Sequence, residues 1–243
     1  MSSVDDKLLK RNEEIEAELD DVVRRYKAMR DARWMFARAH DLITHQINVT
    51  LRFNPSAFRN PDQLIRFNIS FATAFLAAVA DMASPPWRQA FTECALVEAQ
   101  YNMWIPMSPP SDPRGWRPVA PPLGHSDDAN AVKLCAISMA NAHIKTDIVN
   151  SLKTIGCIDR NDYGNILIFV ERGARQAIIE LHGRTSGAIF NWLKEALLPL
   201  DKMWRNSVYT EICRIPVPNV EQAFIDAVDQ AEKKMKNIKP SVH

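Results

Sequence analysis

His143 and Asp147 are residue types that do proton chemistry, and they stand four apart in the stretch Ala136 to Leu152, AISMANAHIKTDIVNSL. Four residues is close to one helical turn, so the imidazole and the carboxyl lie one above the other on a single face. In apolar surroundings a carboxylate beside an imidazole favours the imidazolium, fixes the tautomer and orients the ring. Such a pair is half of a general acid–base device, or the first two ligands of a metal site. It also serves as a plain link between helices, because structural ion pairs perturb titration as well. Asn141, the third polar group of the stretch, lies roughly 200° round the helix from His143 and faces elsewhere.

The element that carries these residues reads as a helix apolar on more than one side. Ile137, Ile144, Ile148 and Ile155 recur at helical spacing beside Leu134 and Met139, a pattern expected of a central helix in a bundle. The segments around it are helical in the same sense. From Asp5 to about Thr50 the pattern is one long helix or two in line: Leu8, Ile15, Leu19, Val22, Tyr26 and Met29 follow a heptad seam, with charges of both signs on the other faces. That seam packs either on the body of the chain or on a second subunit. It continues through Phe36, His40, Ile43 and Ile47, which places His40 on a buried stripe; His45 falls off it.

Asn60-Pro61-Asp62-Gln63 is a helix start, with Asn as cap, Pro at the first position and Gln three after the cap. The helix it opens buries Leu64, Phe71, Phe75 and Val79. Asn68 shares that stripe, and a polar residue there must find a partner or face a pocket. Ser84-Pro85-Pro86-Trp87 opens the next helix. Gly156 ends the central one, and Asp159 caps the following one, which runs to about Leu181. Ser186 to about Trp204 reads as a further helix, Asn206 to Pro218 as a connector, and Asn219 as the cap of the last helix.

Residues 106–128, PMSPPSDPRGWRPVAPPLGHSDD, form the one long irregular stretch. Loops of more than about 12–15 residues in a compact domain tend to be lids or binding loops. Trp116, between two arginines, supplies an aromatic and cationic cover for a pocket, unless the segment is simply a polyproline-rich strap over the surface.

Composition bounds the rest. Few glycines (7) in 243 residues argue for helices, and a net charge of +1 gives no global field to recruit nucleic acid. No apolar run of spanning length and no leader-like N-terminal run stand out. The four cysteines are widely spaced, with no paired motif, and read as reduced residues of a cytoplasmic protein. No phosphate loop, nucleophile elbow, zinc-protease helix or calcium loop is present.

Four stretches resemble an uncharacterised bacterial helical domain family of roughly this length: Phe36-x-x-x-His40-x-x-x-Thr44, Phe58-x-Asn60-Pro61 running into Phe71-Ala72-x-x-Phe75-x-x-Ala78, Pro86-Trp87, and Asn141-Ala142-His143-Ile144-x-x-Asp147. The resemblance spans about Trp34 to Leu200. It departs at position 40, where the family pattern has Tyr, and at Asn68, which replaces an acidic residue and weakens a metal reading. It implies an all-helical fold and functional roles for His143 and Asp147, and it supplies no activity and no cofactor.

The expectation is therefore an all-α, single-domain bundle: a charged amphipathic N-terminal helix over residues 1–35 and a helical core over 36–240. The leading function is an enzyme acting on a small, largely apolar molecule. His143 and Asp147 would move a proton in an elimination, isomerisation, cyclisation or hydrolysis, or begin a metal site with His40 and Glu98 as further ligands. His40, Asn68, Asn141 and Trp116 would bind substrate. The alternative is a non-catalytic interaction protein that forms a homodimer through its N-terminal helix.

Overall fold

A computed structural model gives the structure, which describes residues 4–29, 31, 33–81, 84–101, 129–182, 198–219 and 221–237. The described chain is helical, in the order α1 (Asp6–Ala28), α2 (Trp34–Phe53), a 3-10 turn (Pro55–Ala57), α3 (Pro61–Asp81), α4 (Pro85–Tyr101), α5 (Ala129–His143), a π turn (Ile144–Ile148), α6 (Val149–Ile155), α7 (Arg160–His182), α8 (Leu198–Cys213) and α9 (Gln222–Lys236). No strand occurs among the described residues, and the helices pack together as an all-α bundle.

The heptad seam of the N-terminus resolves into two helices. α1 starts where Asp5 accepts a hydrogen bond from the Lys7 amide (2.8 Å) and packs along α2; just before α2, Arg33 pairs with Asp31, both of them buried. The α1 stripe of Ile15, Leu19, Val22 and Tyr26 is buried against α2 and α3 of its own chain. A dimer made through that stripe would have to exchange the helix between subunits.

The Asn60 and Asp159 caps form as expected. The Gln63 amide donates to Asn60 Oδ1 (3.2 Å), and the Asn161 amide donates to Asp159 Oδ1 (2.8 Å). Gly156, at φ 88°, follows α6 in a conformation that side chains rarely adopt. The connector expected from Asn206 is instead helical to Cys213. Tyr209 holds it there: its ring stacks on Tyr163 at 4.2 Å and its hydroxyl donates to the Ile158 carbonyl (2.7 Å). The last helix begins at Gln222 rather than directly after an Asn219 cap, with Glu221 at the cap position. The expected Ser186 helix start and the whole Pro-rich stretch with Trp116 lie outside the described residues.

α2 is the hub, packed against α1, α7 and α9. Its crossing with α7 is close because Gly173 has no side chain. A Cβ there would stand 2.9 Å from both the Ala39 carbonyl oxygen and Ile43 Cγ1. Backbone cannot yield as a side-chain tip can, so overpacking outweighs the usual helical advantage of alanine. Gly173→Ala is expected to lose about 1–3 kcal/mol in urea unfolding, whereas an exposed helical glycine would gain from the same change.

All four cysteines are paired. Cys94–Cys135 joins α4 to α5, and Cys157–Cys213 joins the segment after α6 to the end of α8. The reading of free, reduced thiols does not hold: helix packing, not sequence spacing, brings each pair together.

Candidate functional site

Helical spacing puts His143 and Asp147 on one face, and the structure brings them into contact: His143 Nδ1 and Asp147 Oδ2 are 2.5 Å apart, both residues fully buried. The π turn begins directly after His143 and contains Asp147. Single π turns inside α-helices often mark functional positions, because they re-aim side chains out of the regular register. Trp87, from the first turn of α4, donates its indole N–H to both carboxylate oxygens of Asp147 (3.2 and 3.1 Å). The Asp147 oxygens are thus held by one ring on each side, and His143 is fixed with Nδ1 toward the carboxyl and Nε2 away from it.

Nε2 has no hydrogen-bond partner, and His143 lines a cavity of about 70 Å³. His40, from α2, lines the same cavity with its ring centroid 4.8 Å from that of His143, and neither of its ring nitrogens has a partner. Phe71 of α3 packs on both imidazoles, and the remaining walls are mostly aliphatic or aromatic, including Phe36, Ile43, Val170 and Ile178. One polar feature closes the α8 side: Arg205 Nε donates to Asp201 Oδ2 (2.7 Å), a buried pair that the sequence reading did not single out. The Tyr163 hydroxyl donates to the Arg205 carbonyl (3.1 Å) and anchors that wall to α7.

The electrostatics follow from burial. It pushes the Asp147 carboxyl up to about 7, against the pull of the Trp87 N–H. Burial, and then the Arg205 charge, hold His143 well below the ordinary imidazole range. His40 is lowered in the same direction by burial first, then by His143 and Arg205. The expectation that Asp147 would charge His143 is therefore not met: a dry site disfavours any net charge more than the pair favours separated ones. The pair is best treated as one unit holding one proton below about 7. With that proton present, Nε2 carries a hydrogen, whether the carboxyl is written neutral or ionised. Once it is lost, the Asp147 carboxylate accepts from Nδ1–H, and Nε2 presents a bare lone pair to the cavity.

The other expected residues are placed as follows. Asn68 is buried but turned away from the main cavity. Its Nδ2 donates to Asn12 Oδ1 (2.9 Å), and Asn12 in turn donates to Asn48 Oδ1 (2.6 Å), so three asparagines lock α1 onto α2 and α3. Asn68 borders only a small neighbouring void. Asn141 is half-buried and does not line the cavity. The side chains of Glu98 and Trp116 lie outside the description. His45 pairs with Glu16 at 2.7 Å, remote from the site. Among the described residues, no three His, Cys, Asp or Glu side chains gather to hold a metal.

No protein-family model, no curated protein and no solved structure matches this chain.

Proposed function

We propose that the chain is an enzyme that moves a proton on a small, largely apolar molecule held in the cavity between α2, α5, α7 and α8. His143 is the acid–base group and Asp147 its positioning residue. The observation that carries this reading is the unpartnered Nε2 of a buried histidine, set at an apolar cavity while its Nδ1 is fixed on a buried carboxyl. Buried polar atoms without partners are rare in proteins and need a reason, and a reacting group is one. The reaction class is elimination, isomerisation, cyclisation or hydrolysis, all of which need a base and an acid and can use one imidazole for both. Among the described residues, no activated Ser or Cys stands at the cavity, and the titratable or charged residues that line it are His40, His143, Asp201 and Arg205. A cofactor and a metal remain unassigned.

A direct test is nitrogen-15 NMR of the histidine rings between pH 5 and 9. Nε2 of His143 is expected to pass from N–H to bare nitrogen near neutral pH, while Nδ1 stays in its bond to Asp147. A ring that keeps one state over that whole range has no acid–base role, and the pair is then structural.

The non-catalytic reading has less to stand on, because the N-terminal seam that would dimerise is already covered by the chain's own helices. The cytoplasmic assignment also loses the argument it had from free thiols, since paired cysteines are characteristic of oxidising compartments.

A further inference from the structure

We propose that the cavity recognises a small neutral alcohol, with the ligand hydroxyl seated in the cavity against the imidazoles of His40 and His143. This rests on the reading of the cavity as the ligand site and adds what the ligand must carry.

Three ring nitrogens, both of His40 and Nε2 of His143, are buried at the cavity without partners. A neutral imidazole offers one donor and one acceptor, and a hydroxyl is the smallest group that gives one hydrogen bond while accepting others. The two ring centroids stand 4.8 Å apart in an edge-on contact, so a single oxygen lying beside both rings in the cavity accepts from one and donates to the other. A carbonyl or ether oxygen accepts only and leaves a bare ring nitrogen unmet. An apolar ligand satisfies none of them.

Charge excludes the obvious rival, a carboxylate drawn by Arg205. That guanidinium already donates to Asp201 at 2.7 Å, and both residues line the cavity. An arriving anion would meet Asp201 as well as Arg205, and would leave water for walls that are mostly hydrocarbon. Size sets the last limit. A dry cavity of about 150 Å³ admits benzene, and each water takes about 30 Å³ of liquid. A cavity of about 70 Å³ therefore suits a chain of two to four carbons without displacing its walls.

The experiment titrates the full-length, disulfide-intact protein at pH 7.5 with three probes of one length: 1-propanol, 1-chloropropane and propionate. Binding is followed by saturable shifts of the His40 and His143 ring resonances. 1-Propanol is expected to bind at least roughly tenfold more tightly than either of the others, the margin that one lost hydrogen bond gives. In His40→Leu that margin is expected to shrink severalfold, since only the bond to His143 Nε2 is left. Binding of 1-chloropropane or propionate as tight as that of 1-propanol overturns hydroxyl recognition while leaving the cavity a ligand site. An unchanged margin in His40→Leu removes His40 from it. Binding of none of the three overturns both this inference and the enzymatic reading of the cavity. The probe series on the unmodified protein decides the matter even if the variant folds poorly.

Discussion

Trp87→Ala is expected to destabilise the protein by about 3–5 kcal/mol and Trp87→Phe by about 1.5–3 kcal/mol, for different reasons. Trp87 is fully buried, and its ring sits among Phe36, Phe75, Phe91 and His143, at centroid distances of 5.4 to 6.0 Å. Truncation to alanine removes that packing and leaves a cavity beside the histidine. Phenylalanine keeps most of the packing and removes only the N–H that both Asp147 oxygens accept. The cost of the second change is that of a buried acidic group without its donor, which is larger than that of an ordinary hydrogen bond. The phenylalanine variant has a second signature. Because the indole N–H is what holds the Asp147 carboxyl down, its loss moves that group above about 7, and the point at which His143 Nε2 loses its hydrogen moves up with it. Urea unfolding and the ring-nitrogen titration read the two effects separately. If Trp87→Phe is as stable as the parent and titrates identically, the indole is only filling space.

Trp87 also shows where sequence reading stops. The His143–Asp147 pair was legible because both partners lie on one helix and spacing alone brings them together. His40 was legible as a buried polar residue on an apolar stripe. Trp87 was legible as the opening of a helix and as part of the Pro86-Trp87 stretch but not as a partner of Asp147, since that bond spans 60 positions and depends on how α4 lies against the π turn. Asp201 and Arg205 had the right spacing for a pair, but the helix around them was expected to end near Asn206, and nothing local said that its charged face is turned inward. Asn68 was expected either to find a partner or to face a pocket. It does the first, through Asn12, which occupies the seam position of α1 between Leu8 and Ile15 and was passed over because it is polar. The π turn has no sequence mark at all: one extra residue in a turn leaves the apolar pattern almost unchanged. Pro216 and Pro218 drew the expected connector too far toward the N-terminus, because their helix-breaking effect is local while Tyr209 is held by tertiary packing.

Asp147→Asn is expected to make the protein acid-sensitive in a way the parent is not. In the unfolded chain between about pH 4 and 6.5, an ordinary aspartate is ionised and an ordinary histidine is protonated, so the two residues hold one proton. In the fold the Asp147 carboxyl is raised to about 7 and His143 is lowered well below its ordinary value, so the buried pair also holds one proton. Proton uptake on unfolding is then zero, and the pair adds no slope of stability against pH across that window. The asparagine variant keeps the shape and one hydrogen-bonding oxygen but cannot hold the proton. Its folded state then carries a neutral His143 and no proton, while its unfolded state binds one below about 6.5. More protons in the unfolded state means that stability rises with pH and falls on acidification, by about 1.4 kcal/mol for each unit below about 6.5 while His143 stays neutral in the fold. The proton balances of His40 and Asp41 on unfolding also change in this region, but they are common to both proteins and cancel in the difference. The measurement is urea unfolding of parent and Asp147→Asn at pH 7.5 and 5.5, with the gap between them expected to widen by about 2 kcal/mol at the lower pH, the proton uptake of a folded group at about 7 over that interval. A gap that is the same at both pH values would mean that Asp147 and His143 do not share a proton in the fold. His143 would then not be the group that exchanges a proton with the cavity.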